Sequence, residues 1–272
     1  MQRPIGVFDS GVGGLSVLRA LRQALPHESF VYVADSGHAP YGERDDTFVL
    51  QRSHAIADYL RQAHRAKALV VACNTATAAA IGTLRAAYTD WPIVGIEPAL
   101  KPAAQRSRTG VVGVMATRGT LASEKFASLL ASLHGQATFM LQPCDGLADA
   151  IERFDTPSID ALCGRYVSEM GSFGSAPGAM DTLVLGCTHY PFVSESLAQL
   201  TGPDVVQLEP GEPVARRTFR VLEEAGMLAE GAAARGAPPP NLHCYSTGNT
   251  LLLEAALQRW LRWQEKALPL DV

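Results

Sequence analysis

An α/β protein built of two similar parallel-sheet domains is expected from this chain, and three patterns carry the expectation. Short β-branched runs alternate with helix-like segments almost throughout its 272 residues, as in successive βαβ units. A weak internal repeat lays Ile5-Gly6-Val7-Phe8 over Val112-Gly113-Val114-Met115, each followed by small polar residues and then a helical pattern. Two apolar runs, 67–71 and 181–185, each lead into a cysteine, Cys73 and Cys187, with small polar residues after it. An apolar strand followed by Gly or Thr is common in α/β chains, but the matched cysteines favour a pseudo-twofold relation between the halves.

In chain order, 5–8 reads as a buried strand, and the glycine-rich turn after it delivers a helix over 15–24. The β-branched run 30–34 is a second strand, and a Pro/Gly turn at 39–44 separates it from a helical pattern over 47–63. A third strand, 69–72, ends on Cys73 and feeds a helix over 75–88, with a fourth strand at 93–96. The second half repeats the alternation: strands at 111–115, 137–141, 183–185 and 205–208, and helices at 121–133, 158–170 and 192–200. Helices over 213–225 and 250–263 follow, and the last carries Trp260 and Trp263, which predicts that it packs back onto the first half. The first domain is then discontinuous, 1–97 plus 208–272, with 98–207 as the second. The active site is expected in the cleft between the two, where ligands of such folds bind. The Gly/Ser/Pro-rich segment 172–179 reads as a loop, and 226–241 as a mobile surface stretch.

Hydrophobic residues at 47% and charged residues at 18% describe a globular chain with ample core, and a net charge of -4 offers no attraction to nucleic acid or an anionic membrane. No apolar stretch reaches the roughly 20 residues of a spanning helix, and Met1-Gln2-Arg3-Pro4 does not read as a signal peptide. A cytoplasmic location is the expectation. The five cysteines form no C-x-x-C pair, and Cys187-x-His189 has no second pair at metal-ligand spacing, so neither a disulfide framework nor zinc is expected. The thiols are core fillers or chemistry; Cys163, in a helix pattern, and Cys244, in a strand-like one, read as core.

Four constellations carry chemistry. Asp9-Ser10-Gly11-Val12-Gly13-Gly14 opens a helix, but Ser16 stands where a dinucleotide fingerprint needs its last glycine, and no Gly-Lys-Ser/Thr marks a P-loop. The turn is left with amides suited to a carboxylate, and with Asp9 either at the site or as a helix cap. Tyr41 and Gly42 suit a small polar ligand and Arg44 a carboxylate, the alternative being an ordinary turn with an exposed Tyr. Cys73, followed by Asn74 and Thr75, sits where a helix dipole lowers a thiol pKa, although a lone buried cysteine is usually inert packing. Cys187 has Thr188 beside it and His189, the natural acid or base at neutral pH, two residues on. Two such thiols facing one substrate from opposite sides could take a proton from one face of a carbon and return it to the other. A thiol hydrolase using Cys187 and His189, and a non-catalytic ligand binder, are the alternatives from other classes. Glu152 by itself reads as a helix-surface acid.

Read together, Phe8-Asp9-Ser10-Gly11, Gly13-Gly14-Leu15-Ser16, Pro40-Tyr41-Gly42, Ala72-Cys73-Asn74-Thr75-Ala76 and Leu185-Gly186-Cys187-Thr188-His189-Tyr190-Pro191 resemble the motifs of glutamate racemases, in the cofactor-independent aspartate/glutamate racemase superfamily. The match runs in order along the whole chain; the cysteine motifs alone also resemble aspartate racemases. The resemblance implies two α/β domains enclosing glutamate, no pyridoxal phosphate, no metal, and a homodimer. It implies that Cys73 deprotonates D-glutamate with help from Asp9, and Cys187 deprotonates L-glutamate with help from His189 and, behind it, Glu152. Substrate binding falls to Asp9, Ser10, Tyr41, Gly42, Asn74, Thr75, Thr188 and His189, with Thr117 and Thr120 from the second domain. The role implied is supply of D-glutamate for peptidoglycan synthesis and so for the cell wall and cell shape. A racemase of aspartate or another acidic amino acid is the near alternative. None of the four lysines lies in a motif, in keeping with the absence of a Schiff-base cofactor.

Overall fold

The computed structural model describes residues 3–229 and 240–272, so most of the Ala/Pro-rich stretch in 226–241 lies outside the described residues. The chain divides into two compact units, Met1–Ile96 with Gly211–Val272, and Glu97–Pro210.

The first unit runs β1 (Ile5–Asp9), α1 (Leu15–Ala24), β2 (Phe30–Ala34), a 3-10 turn (Tyr41–Glu43), α2 (Asp46–Gln62), β3 (Ala68–Val71), α3 (Asn74–Ala87) and β4 (Ile93–Gly95). Its sheet order β2-β1-β3-β4 is parallel throughout. Every residue of β1, β2 and β3 is buried, which is why these strands read as continuous apolar runs rather than alternating ones. The opposite edge of this sheet is extended by two strands from the last part of the chain.

The second unit runs α4 (Leu100–Arg106), β5 (Val111–Ala116), α5 (Arg118–Ala122), α6 (Glu124–Ala131), β6 (Thr138–Pro143), α7 (Leu147–Glu152), α8 (Thr156–Met170), β7 (Thr182–Leu185), a 3-10 turn (Tyr190–Val193), α9 (Ser194–Thr201) and β8 (Val206–Leu208). Its four parallel strands are ordered β6-β5-β7-β8. This is the order of β2-β1-β3-β4 again, so the internal repeat is a repeat of topology, and each cysteine stands two residues past the third strand of its set. Val112, Val114 and Val184 pack with Phe126, Leu133, Leu100 and Ala103 beneath this sheet.

The chain then returns to the first unit with α10 (Gly211–Glu224), β9 (Leu242–Ser246), α11 (Thr250–Ala256), a π turn (Leu257–Leu261) and β10 (Ala267–Pro269). Strand β9 pairs with β2, and β10 closes the edge, where a proline is tolerated because its missing N–H faces no partner. Helix α10 approaches α1 closely: a Cβ on Gly211 would lie 3.2 Å from the Ala20 Cβ. The Arg22 guanidinium lies 4.4 Å from the centre of the Trp263 ring, so the end of the chain does pack on the first helix, as its tryptophans led us to expect. A buried ion pair, Lys67 to Glu28 at 2.6 Å, anchors the same return: Lys67 also donates to the Met227 carbonyl, and Glu28 accepts from the Ala229 N–H.

Three helix expectations are corrected. The helix expected over 121–133 is two, because Ser123 adopts extended backbone, accepts from the Phe126 N–H and donates to the Thr120 carbonyl, capping α6. The helix over 192–200 begins as a 3-10 turn through Pro191 and becomes α-helical only at Ser194. The helix over 250–263 loosens into the π turn after Ala256 and stops at Arg262, whose φ is +57°.

Candidate active site

Asp9 ends β1 wholly buried, and its Oδ2 accepts from the Gly14 N–H at 2.8 Å and the Gly11 N–H at 3.4 Å. The turn was expected to offer its amides to a ligand carboxylate; two of them are occupied by its own aspartate. Gly14 is needed here by space, since a Cβ would lie 2.6 Å from the Asp9 Cβ and 2.9 Å from the Tyr32 hydroxyl. Asp9 therefore folds the glycine turn back over the strand tip and places its carboxyl group there.

Cys73 ends the extended segment after β3 and is the N-cap of α3: its sulfur accepts from the Ala76 N–H at 3.5 Å and lies 3.7 Å from Ser10 Oγ. The helix start was expected to lower the thiol pKa. The direction is the opposite: burial pushes the Cys73 thiol up, and the charge of Asp9 adds to the push, against the Ala76 and Ser10 hydrogen bonds. One helix terminus and two donors do not replace the hydration that a thiolate loses on full burial.

Beside Cys73, Asn74 is buried, and neither its carboxamide oxygen nor its nitrogen has a hydrogen-bond partner among the described residues. A buried primary amide without partners loses about 1–3 kcal/mol per group, which a polar ligand would return. Thr75 follows, half-buried, on the first turn of α3. Tyr41 is buried in the same apolar cluster as Cys73 rather than exposed, and its hydroxyl donates to Asp35, so only the backbone of the Tyr41–Gly42 turn remains for a ligand. Arg44, expected to pair with a carboxylate, stacks on the Phe48 ring with its guanidinium carbon 5.2 Å from the ring centre.

In the second unit Cys187 differs from Cys73 in its surroundings. No α-helix starts on it; the chain turns through Thr188 and His189 into the 3-10 turn, with the Tyr190 N–H bonded to the Cys187 carbonyl. That turn brings the imidazole back, so that His189 Nδ1 lies 3.7 Å from the Cys187 sulfur and Nε2 lies 2.7 Å from Glu152 Oε2. Burial disfavours the imidazolium, but Cys187 and Glu152 outweigh it and hold the His189 pKa well above 6.5. Glu152, which reads from its neighbours as a surface acid, is 15% exposed and ends α7 against His189. Thr188 is buried. At the tip of β5, where β1 has Asp9 and Ser10, Thr117 caps α5 by accepting from the Thr120 N–H at 3.2 Å, and its hydroxyl bonds to that of Thr120 at 2.9 Å.

Of the residues that the sequence motifs singled out, Asp9, Ser10, Tyr41, Gly42, Cys73, Asn74 and Thr75 lie in the first unit and Thr117, Thr120, Glu152, Cys187, Thr188 and His189 in the second, where His189 joins Cys187 to Glu152 as Ser10 meets Cys73 in the first. Cys163 and Cys244 are buried core, as expected. Two side chains that the sequence reading passed over are Asp35 and Arg52. Asp35 follows β2 as Asp9 ends β1, and that position at the carboxyl end of a strand was the available signal. Among the described residues no three His, Cys, Asp or Glu side chains gather where a metal ion could be held, and no helix is long and apolar enough to cross a membrane.

Residues 5–210 match the Asp/Glu/Hydantoin racemase family. The glutamate racemase of Pseudomonas syringae pv. tomato is 50% identical over 232 residues, covering 85% of this chain and 82% of its own. Among solved structures, a glutamate racemase isoform from Bacillus anthracis superposes with a TM-score of 0.86 at 32% identity, over 99% of this chain and 97% of that one. A glutamate racemase from Francisella tularensis subsp. tularensis in complex with D-glutamate superposes with a TM-score of 0.82 at 25% identity, over 99% and 98% of the two chains.

Proposed function

The chain belongs to the Asp/Glu/Hydantoin racemase family, and from that premise we propose that it is a glutamate racemase, an isomerase that interconverts L- and D-glutamate with one cysteine from each unit working on the same α-carbon. The observation that carries the mechanism is the unlike pairing of the two thiols. Cys73 sits buried beside the Asp9 carboxylate, and Cys187 faces an imidazole that Cys187 itself and Glu152 together favour in its charged form.

An amino-acid α-proton is far less acidic than a thiol, so the reaction needs a close, oriented, poorly hydrated thiolate and a neutralised substrate carboxylate. Burial keeps Cys73 in its thiol form in the free protein, ready to give a proton. His189, held as an imidazolium, faces the Cys187 sulfur at 3.7 Å and can hand a proton to it or take one from it. L-Glutamate loses its α-proton to Cys187 and gains one from Cys73 on the opposite face; the reverse reaction exchanges the roles. Asp9 serves Cys73 once the positively charged ammonium of the substrate balances its charge. Ser10, Asn74, Thr75, Thr188 and the backbone at Tyr41–Gly42 hold the amino acid, with Thr117 and Thr120 from the second unit, and the amide of Asn74 has no other partner among the described residues. No cofactor takes part in this scheme. A homodimer, a cytoplasmic location and the supply of D-glutamate to peptidoglycan synthesis belong to the same proposal.

Polarimetry with each enantiomer of glutamate and of aspartate tests the reading. Glutamate should racemise in both directions, and in deuterated water the product should carry an α-deuteron from the outset. Cys73→Ser and Cys187→Ser should each nearly abolish racemisation. Wild-type turnover by either variant would rule out a two-thiol mechanism, and faster turnover of aspartate would move the substrate to the smaller acid.

A further inference from the structure

Behind the Tyr41–Gly42 turn lies a cluster of polar side chains that the reaction itself does not use. Asp35 is wholly buried immediately after β2. Its Oδ2 accepts from the Tyr41 hydroxyl and from Arg52 Nε at 3.0 Å; its Oδ1 accepts from Arg52 Nη2 at 2.9 Å and Thr247 Oγ1 at 2.7 Å, and lies 3.0 Å from His38 Nδ1. The Arg52 side chain is held in turn, with Nη1 donating to the Val272 carbonyl at 2.6 Å. The Thr247 hydroxyl also accepts from the Gly37 N–H at 3.1 Å, and the Asp35 N–H donates to the Asp9 carbonyl at 3.0 Å. Three separate parts of the first unit therefore meet on one carboxylate, the loop after β2, helix α2 and the turn after β9, and Arg52 ties the end of the described chain to them.

This arrangement is more rigid than burial of a tyrosine requires. An Arg–carboxylate fork fixes both partners in a plane, and a buried network satisfied at every member has one geometry. The phenol of Tyr41 is committed to that network, and its ring packs in the cluster that contains Cys73.

We infer that Asp35 and Arg52 are positioning residues for substrate binding: through the Tyr41 hydroxyl they set the angle at which the Tyr41–Gly42 backbone meets the substrate, with Thr247 and the Val272 carbonyl holding the pair. The inference rests on the proposed function, because it needs that turn to touch glutamate. Neither residue reaches the reacting atoms, so the loss expected on altering them is in binding rather than in proton transfer.

Steady-state racemisation of both enantiomers by the full chain is the test. Asp35→Asn keeps the shape, removes the charge, and should raise KM by about tenfold while kcat changes by less than about threefold, the pattern of lost uniform binding. Arg52→Met should do the same, and Arg52→Lys, which keeps the charge but not the fork, should recover part of the loss. Because both side chains act through one hydroxyl, Asp35→Asn combined with Tyr41→Phe should be no worse than the worse single variant. An unmoved KM in folded Asp35→Asn, or losses that multiply in the double variant, would overturn the inference while leaving the racemase reading intact. If Asp35→Asn does not fold, the comparison of Arg52→Met with Arg52→Lys decides on the same KM criterion. No turnover of glutamate by the folded wild-type chain would overturn the proposed function, and this inference with it.

Discussion

Replacing Glu152 by glutamine changes one charge and almost nothing else. Glu152 Oε2 lies 2.7 Å from His189 Nε2, and the side chains are 15% and 8% exposed, so little water screens the pair. Burial acts against the imidazolium, and only Cys187 and Glu152 hold the His189 pKa well above 6.5. A hydrogen bond to a charged group contributes about 1.5–3 kcal/mol, which is between about tenfold and about a hundredfold in an equilibrium. Without Glu152 the imidazolium loses its proton at lower pH. Activity that depends on a charged His189 then ends earlier as pH rises, and the basic limb of the kcat/KM profile moves toward neutrality. The enantiomers are equally stable, so kcat/KM must fall equally in both directions. The drop should grow with pH toward about tenfold to a hundredfold above the wild-type His189 pKa, and be smallest near pH 6. Stability follows the same sign. The folded-state pKa of His189 is raised, so the contribution of the pair is fully present below about 6.5, the unfolded value, and is lost as pH rises through the folded-state pKa. Urea unfolding should therefore separate wild type from Glu152→Gln most at pH 6. Polarimetric profiles that superimpose, or a basic limb that moves upward, would refute the share of Glu152 in keeping His189 charged.

Other residues make equally definite predictions. Gly14→Ala puts a Cβ 2.6 Å from that of Asp9, so displacement of the carboxylate should lower kcat/KM at least about tenfold, with a stability loss of about 1–3 kcal/mol from overpacking; full activity in the purified variant would contradict it. Lys67→Met leaves Glu28 buried without its ion-pair partner and should destabilise by about 3–5 kcal/mol in urea, most of it recovered by adding Glu28→Gln. Asp181 takes hydrogen bonds from Ser107 Oγ at 2.6 Å and from the Arg108 and Thr109 N–H groups at 2.7 and 3.0 Å. Although burial pushes it up, these donors hold its pKa down to about 2. Its contribution is present above about 3.9 and is lost as pH falls through about 2. Asp181→Asn should thus lower stability at pH 7 by about 1–3 kcal/mol, and denaturant titrations should show the gap closing as the solution is acidified.

Much of the fold was legible because its signals are local. The continuous apolar runs at β1, β2 and β3 reflect burial on both faces, and the glycine turn after Asp9 marks the β1–α1 junction to the residue. What was missed is short or conditional. Helix α7, which carries Glu152, has only six residues, too few to set up a period, and β10 contains a proline that is acceptable only at an edge. Ser123 looks like any helix-surface serine until its hydroxyl is seen to cap α6.

The candidate site divides in the same way. Cysteines at strand ends, small polar residues after them and a histidine two positions on are facts of neighbouring residues, and the chain alone singled out the side chains proposed to do the chemistry. It did not determine their protonation or support. The Cys73 thiol is pushed up rather than down because the packing around it removes water. Glu152 meets His189 across 37 positions of sequence, and Asp35 meets Thr247 across 212. Only the packed chain decides such partners, because hydration and Coulomb energy depend on distance in space, whereas sequence patterns report distance along the backbone.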